Sequence, residues 1–367
     1  MAVVAVTLRD FRSYERACAH LGAGLTVLWG PNGAGKTNLL EALYFGCTGR
    51  SCRTANDREV VRFGADVCRV VVDCEGPGGP HEFTVGFAPG EPKRMTADGA
   101  PVERLLDNPF RPLASVFLPD RLELIKGVPA GRRAHLDQLV GALWPHRAIH
   151  RRAYAQALAQ RNAQLARVRA GIGSTAGLDA WDQTLAQHGI NLIAARAAAI
   201  DLLTGPFARV AGELGLDTAA VAYRPRSSAP TAVELATELA DRRASDLERG
   251  FTGHGPHRDD VQFAVDSRDV RTFGSQGQQR IALLALLMAE RELIAQERGE
   301  PPLLLLDDVM SELDGLRRGR LIALIQRGGG QALITTTDLD HVPGAGDAGV
   351  NRIAVSPGGL LQDALAA

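Results

Sequence analysis

Gly30-Pro-Asn-Gly-Ala-Gly-Lys-Thr37 fits the pattern G-x-x-x-x-G-K-[ST], and its flanks supply the strand–loop–helix setting that the pattern needs. Leu25-Thr-Val-Leu-Trp29, just before it, is a short apolar run that reads as a buried strand. Asn38-Leu-Leu-Glu-Ala-Leu-Tyr44, just after it, places Leu39, Leu40 and Leu43 at helical spacing. Gly30, Pro31, Asn32, Gly33, Ala34 and Gly35 form the loop, and Gly33 and Gly35 let backbone N–H groups converge on phosphate oxygens without a Cβ in the way. Lys36 supplies a compact positive charge for the β- and γ-phosphates, and the Thr37 hydroxyl is a ligand for Mg²⁺. The helix opening at Asn38 adds its N-terminal dipole to the same anion. A glycine-rich turn that merely carries a lysine is the competing reading. The matched context on both sides favours a nucleoside triphosphate site.

The chain has 367 residues, enough for two domains or one large domain with an insertion. At 45% hydrophobic and 23% charged it has an ordinary globular composition, and it holds no run of eighteen apolar residues. Met1-Ala-Val-Val-Ala-Val6 leads straight into Thr7-Leu-Arg-Asp10 without a basic leader or cleavage site, so a cytoplasmic protein without a membrane partner is expected. Cys18, Cys47, Cys52, Cys68 and Cys74 are odd in number and lack paired CxxC spacing; they read as small buried side chains in a reducing compartment. The net charge of −1 argues for no partner, but its distribution is uneven. Between Arg121 and Ala170, ten basic residues face only Glu123 and Asp137, a local net charge of +8. Arg147, Arg151 and Arg152 within it are candidate contacts to a nucleic-acid backbone; the alternative is a solvated arginine-rich helix face.

Periodicity divides the chain into an N-terminal part of the head (residues 1–120), an inserted helical arm (121–250) and a C-terminal part of the head (251–367). Val3–Leu8, Val67–Cys74, Glu82–Phe87 and Ser115–Pro119 read as strands. From Gly131 the period becomes helical, with Leu136, Leu139, Val140 and Leu143, then Tyr154, Leu158, Leu165 and Val168, then Leu178, Trp181, Leu185, His188 and Leu192. Gly171-Ile-Gly-Ser174 between the last two runs predicts an antiparallel helix pair, a short coiled-coil-like arm. Val261, Phe263 and Val265 restore strand character, and a long helix covers 278–299. Leu303-Leu-Leu-Leu-Asp-Asp308 is a buried strand ending in two carboxylates, and Gln331–Thr337 is a further strand. The fold predicted is α/β, a P-loop head made from both chain ends with an inserted helical domain.

The acidic strand end supplies the second half of a hydrolytic site. Asp307 is placed to hold Mg²⁺ with Thr37, and Asp308 to orient or deprotonate the attacking water, so Lys36, Asp307 and Asp308 are the candidate catalytic residues. Upstream, Ser275, Gly277 and Gln278 in Gly274-Ser-Gln-Gly-Gln-Gln279 line up with S-x-G-Q of the ABC-type ATPase signature. A serine and a glycine at a helix N-terminus form an anion site, and with one phosphate loop already present, this second one suits the γ-phosphate of a neighbouring protomer. A plain N-capped helix is the alternative. Ser311-Glu-Leu-Asp314 resembles the dimer-contact loop of the same class.

Several segments together resemble the RecF family of bacterial DNA replication and repair ATPases, relatives of Rad50 and SMC heads. They are Val6–Tyr14 (which includes Arg12), Gly30–Asn38, Gly46–Ser51, Phe117–Gly127, Gly255-Pro-His-Arg-Asp-Asp260, Gly277–Gln279 and Leu306-Asp-Asp-Val-Met-Ser-Glu-Leu-Asp314. Two departures stand out. Pro119-Asp-Arg-Leu122 replaces Pro-Glu-Asp-Leu, keeping a carboxylate at Asp120 but reversing the next charge, and Gly274 and Gln276 depart from the usual signature. The resemblance implies ATP and Mg²⁺ as ligands, an ATP-dependent homodimer, and binding to double- and single-stranded DNA at gaps or junctions. It also implies slow, DNA-stimulated hydrolysis and work with RecR and RecO homologues to load recombinase. An ABC transporter's nucleotide-binding subunit is the first rival, disfavoured by the large insertion and by Thr335-Thr-Thr-Asp338 where such subunits place a histidine. The second rival is a non-hydrolysing nucleotide-binding scaffold, suggested by Asp308 where ABC enzymes carry glutamate. For Gly255–Asp260, the default is a turn held by its own Asp–Arg pair.

Overall fold

Alternating apolar and polar residues build the first sheet. The computed structural model describes residues 1–362 apart from Pro77, Pro109 and 119–121, so Asp120 and Arg121 lie outside the described residues. Strands β1 (Ala2–Phe11), β2 (Tyr14–His20), β4 (Cys68–Gly76), β5 (Gly79–Phe87), β6 (Arg94–Ala97) and β7 (Ala100–Pro101) join in the order β2-β1-β4-β5-β6-β7. Val6, Leu8, Val70, Val72, Phe83 and Val85 turn inward and pack with Leu39, Leu43 and Phe45 of helix α1 (Lys36–Thr48). β3 (Leu25–Trp29) and β8 (Ala114–Phe117) belong to a different sheet.

The middle of the chain forms a unit of its own, with Leu122–Leu293 compact and Met1–Arg121 joining Ile294–Ala367 in the other. It contains α2 (Glu123–Lys126), α3 (Pro129–Leu143), α4 (Ala148–Arg169), α5 (Leu178–Glu213), β9 (Ala220–Arg224), α6 (Ala232–Asp241) and α7 (Arg243–Arg249). These are followed by β10 (Asp260–Val265), β11 (Arg268–Asp269), α8 (Val270–Phe273) and most of α9 (Gln276–Arg298). The expected boundary at residue 250 falls inside this unit, because β10 pairs with β9 across the expected junction. α4 and α5 pack together as the helix pair read from their spacing. Length and composition alone would let α5 cross a membrane, but Leu185, Leu192, Ala199, Leu203 and Phe207 are buried within the unit.

Both chain ends supply the second sheet, which β12 (Leu303–Leu306), β13 (Ala332–Thr336), β14 (Asn351–Ser356) and β15 (Gly359–Gln362) complete in the order β15-β14-β3-β13-β12-β8. β8, β12, β13, β3 and β14 run parallel, and every residue of β12 and β13 is buried. Cover on both faces explains the unbroken apolar run of Leu303–Leu306. α10 (Gly315–Arg327) connects β12 to β13.

Two sequence readings need correction. Cys18 is exposed on β2 and Cys52 is half-buried, whereas Cys47, Cys68 and Cys74 are buried as expected. The +8 segment is also not a continuous basic surface. Arg161, fully buried, donates to Asp182 Oδ1 at 2.6 Å, Asp246 Oδ2 at 2.7 Å and Thr252 Oγ1 at 2.7 Å, while buried Arg132 holds Asp260 at 2.7 and 2.9 Å. Carboxylates distant in sequence neutralise these two arginines inside the fold. Removing one partner from such a buried network strands the rest, so Arg161→Ala should destabilise the unit by about 3–5 kcal/mol in urea unfolding. Arg151→Ala, at an exposed position of the same helix, should stay within about 0.5 kcal/mol of wild type.

Candidate nucleotide-binding site

The phosphate loop hangs between β3 and α1, and its glycines meet steric demands that other residues could not. A Cβ on Gly30 would lie 2.2 Å from the Val355 carbonyl oxygen, and one on Gly35 would lie 2.8 Å from the Tyr14 hydroxyl. Gly33 (φ 78°) and Gly35 (φ 114°) also occupy the left-handed region. Lys36 is buried, and its Nζ donates to the carbonyls of Gly30 at 2.7 Å and Pro31 at 3.0 Å, which holds the ammonium within the loop. Burial lowers its pKa, while Asp308 and Asp307 pull it back up.

Parallel register brings the acidic strand end to the loop. Thr37 Oγ1 lies 2.9 Å from both oxygens of Asp307, though 270 positions separate the two residues. Thr335, fully buried on β13, donates to Asp307 Oδ1 at 2.7 Å and accepts from the Asp308 N–H at 2.9 Å. Burial raises the Asp307 pKa; the two threonine hydroxyls oppose that shift and neighbouring Asp308 adds to it. A buried carboxylate held by two hydroxyls, and forming no ion pair among the described residues, fits a hard divalent cation such as Mg²⁺. Asp308 has φ 46°, the left-handed conformation that aspartate tolerates better than most residues. Lys36, Thr37, Asp307 and Asp308 are therefore brought together.

Two supporting residues escaped the sequence reading. Glu41, with no exposed side-chain surface, accepts from Arg12 at 2.9 and 2.8 Å, Ser51 Oγ at 2.5 Å and Arg53 at 3.3 Å. Arg53 also donates to Asn38 Oδ1 at 3.1 Å, and Asn38 Nδ2 reaches Ser13 Oγ at 2.9 Å. Arg12 is thus tied to the helix that follows the phosphate loop. A lone glutamate in the apolar stripe of α1 was the available signal. Thr335 carried no signal beyond its place at the end of a strand.

The remaining candidates make local contacts of their own. Ser275 and Gln278 form a reciprocal cap on α9: the Ser275 N–H donates to Gln278 Oε1 at 2.9 Å and the Gln278 N–H to Ser275 Oγ at 3.2 Å. Ser275 and Gly277 are exposed, as is Phe273 beside them. Asp314 is also exposed and caps α10, accepting from the Arg317 N–H at 2.9 Å, which holds its carboxyl below the usual range. Arg151 and Arg152 are exposed on α4, whereas half-buried Arg147 stacks over Trp144 at 4.1 Å.

The Gly255–Asp260 turn is not held by an internal ion pair. Asp259 is fully buried and accepts from Tyr223 Oη, the Arg226 N–H at 2.7 Å and Arg196 at 3.4 Å, while Asp260 takes Arg132. Arg258 instead lies over the Phe251 ring, 5.5 Å from its centroid. The turn therefore ties α3, α5 and β9 together within the middle unit.

Residues 5–73 match the family model of an AAA domain. The chain is 40% identical over 351 residues to "DNA replication and repair protein RecF" of Anaeromyxobacter sp. (strain Fw109-5), covering 92% of this chain and 93% of that protein. It is 39% identical over 353 residues to the protein of the same name from Symbiobacterium thermophilum, covering 93% of each. Its fold matches the solved structure of the recombination mediator protein RecF with ATP in the RecFOR pathway at TM-score 0.86 and 26% identity, covering 99% of this chain and 98% of that one. The Smc head of Pyrococcus furiosus matches at TM-score 0.59 and 15% identity over 98% of this chain and 95% of that one, a likeness of fold. Phosphate loop, parallel sheet and acidic strand end define an ABC-type P-loop ATPase head with a helical insertion. At 40% identity over nearly its whole length, the chain belongs to the RecF family of DNA replication and repair proteins.

His257 allows a test of how the Gly255–Asp260 turn contributes to stability. Its Nε2–H donates to the Thr252 carbonyl at 2.9 Å and its Nδ1 accepts from Tyr154 Oη at 2.7 Å, a neutral ring whose pKa burial lowers from 6.5 to about 4. Between those values the unfolded chain binds more protons than the folded one, so stability rises with pH across the window and is lost as pH falls through it. His257→Gln should therefore show a shallower fall in melting temperature than wild type between pH 6.5 and about 4.

Proposed function

We propose that the chain is an ATP-controlled DNA-binding repair protein whose ATP site is built by Lys36, Thr37, Asp307 and Asp308. The observation that carries this reading is the contact of Thr37 Oγ1 with both Asp307 oxygens, 2.9 Å each, beside the phosphate loop. The loop N–H groups and Lys36 hold the β- and γ-phosphates, and Thr37 and Asp307 hold Mg²⁺. Held by these two residues, Mg²⁺ would supply positive charge to offset that of the phosphate oxygens. Asp308 follows Asp307 beyond the strand and orients the attacking water as hydrogen-bond acceptor. Arg12 and Asn38 line the loop through the Glu41 network.

Exposed Ser275, Gly277 and Asp314, with half-buried Gln278, serve a second protomer, closing over its nucleotide when ATP brings two copies together. DNA at gaps and junctions is the substrate on which this dimer forms, double- and single-stranded segments both contributing. Arg147, Arg151 and Arg152 are the first candidates for phosphate contacts. Homologues of RecR and RecO are the protein partners, as the RecFOR pathway of the matched RecF structure suggests, and the setting is cytoplasmic. Hydrolysis is slow and stimulated by DNA. The curated relatives are named for replication and repair, which favours this reading over a transporter subunit.

Lys36→Ala should abolish tight ATP binding in a calorimetric titration, whereas Asp308→Asn should retain ATP binding but lose hydrolysis and prolong the dimer. Normal turnover in Asp308→Asn would assign the water to another residue and refute the role given to Asp308.

Ser275→Arg should leave ATP binding by a protomer nearly intact and prevent ATP-dependent dimers in sedimentation. Losing the helix cap costs about 1 kcal/mol in either variant, so Ser275→Ala, which adds no bulk, is the control and should still dimerise. Wild-type dimerisation of Ser275→Arg would refute the shared site.

A further inference from the structure

The register of the first sheet sets arginines side by side on its solvent face. Arg16 of β2 lies opposite Arg9 of β1, Arg9 opposite Arg69 of β4, Arg69 opposite Gly86 of β5, and Gly86 opposite Arg94 of β6. All four arginines are exposed. The chain positions lie far apart in sequence, from 9 to 94, so no linear charge run reveals the row. Like charges directly opposite each other destabilise a sheet, so three adjacent arginines call for a counter-charge from outside the sheet.

Among the described residues, no carboxylate of the sheet forms a close ion pair with the row. Arg9 has only a 3.8 Å approach to Asp10, and Asp10 is itself held by Arg62 at 2.7 Å. Arg94 pairs with exposed Glu91 at 3.1 Å, and Arg16 and Arg69 form no ion pair among the described residues. The face is also polarised along its strands. The next row holds Cys18, Thr7, Val71, Thr84 and Thr96, and the row beyond holds His20, Ala5, Asp73 and Glu82. Positive charge thus concentrates at one end and negative charge at the other. Neighbouring strands stand about 4.8 Å apart, so the row extends roughly 19 Å, much longer than a single phosphate group. Phe63, 99% exposed, sits in the segment that leads into β4 beside this end, next to Arg62.

The geometry points to a phosphate-backbone site for DNA on this sheet face, with Arg16, Arg9 and Arg69 holding consecutive phosphates of a duplex and Phe63 free to stack on an unpaired base. This rests on the reading of the chain as a DNA-binding protein, and it moves the main charge contact from α4 to the sheet. Guanidinium groups suit the task because each donates two parallel hydrogen bonds to a phosphate. The acidic row sets the orientation, since a polyanion is repelled from the far end of the same face.

The test compares wild type with Arg9→Gln/Arg16→Gln/Arg69→Gln and with Arg147→Gln/Arg151→Gln/Arg152→Gln, measuring duplex binding with ATP across a salt series. The sheet variant should lose on the order of a hundredfold in affinity at physiological salt, and its log–log salt slope should become shallower by roughly 2.7, about 0.9 per lost contact. Its melting temperature should equal or exceed that of wild type, because like-charge repulsion has been removed, and its ATP affinity should not change. Arg9→Lys/Arg16→Lys/Arg69→Lys should keep the slope, and Arg16→Gln alone should lower it by about 0.9, so an unstable triple variant would still leave a reading. An unaltered slope in the sheet variant, with wild type and the α4 variant differing, would overturn the proposal and leave the DNA on α4. Loss of binding to anionic phosphatidylserine vesicles with an intact DNA slope would overturn it in favour of a membrane surface. A wild-type protein that binds no duplex under any nucleotide would instead refute the underlying DNA-binding reading.

Discussion

The hydrogen bonds between Thr37 and Asp307 are the constraint on which the head depends. One residue begins the helix after the phosphate loop and the other ends a strand 270 positions later. They meet because β3 pairs with β13 and β13 with β12 in parallel, which brings the C-terminal edges of all three strands to one side. Parallel pairing needs a long connection between partners, and here both the whole middle unit and α10 serve as such connections. Open α/β sheets place ligands outside the carboxyl ends of their strands, which is where the loop and the two aspartates lie.

Burial then determines what each charge near that edge can do. Asp307 and Thr335 are shielded from water, so the carboxylate charge is uncomfortable and is eased by hydroxyl donors rather than by a direct ion pair. Glu41 is equally buried but is matched by Arg12 and Arg53, and so it works as a fastener for the loop's helix. Two acidic groups that meet the same helix, one within it and one from a distant strand end, thus take different roles through their partners. One remains suited to a cation from solution, and the other already has its cations from the chain.

The same distinction separates the arginines. Counted along the chain, Arg132 and Arg161 belong to the most basic segment of the protein, but both are internal and paired with aspartates from other elements. Arg9, Arg16 and Arg69 fall in no charge run and nevertheless share one exposed row. Charge density along a sequence measures neighbours in the chain, whereas a polyanion meets neighbours in space. Three strands of alternating residues convert widely spaced arginines into a cluster, and a bundle of helices hides others.

Sequence alone determined the phosphate loop, its flanking strand and helix, the acidic strand end and the insertion of a helical region, because each depends on contiguous residues with a strong local pattern. It also carried the family resemblance, which rests on ordered motifs over most of the length. Local pattern could not disclose Glu41 or Thr335 as partners in the site, since a single polar residue in an apolar element is defined by what lies opposite it. Nor could it show that Ser275 and Gln278 cap each other, or that Asp259 finds Arg196 rather than adjacent Arg258. Strand register and helix packing decide those pairings. They bring together groups with no relation in the linear chain, and the desolvation of buried charge then requires that each find its counter-ion there.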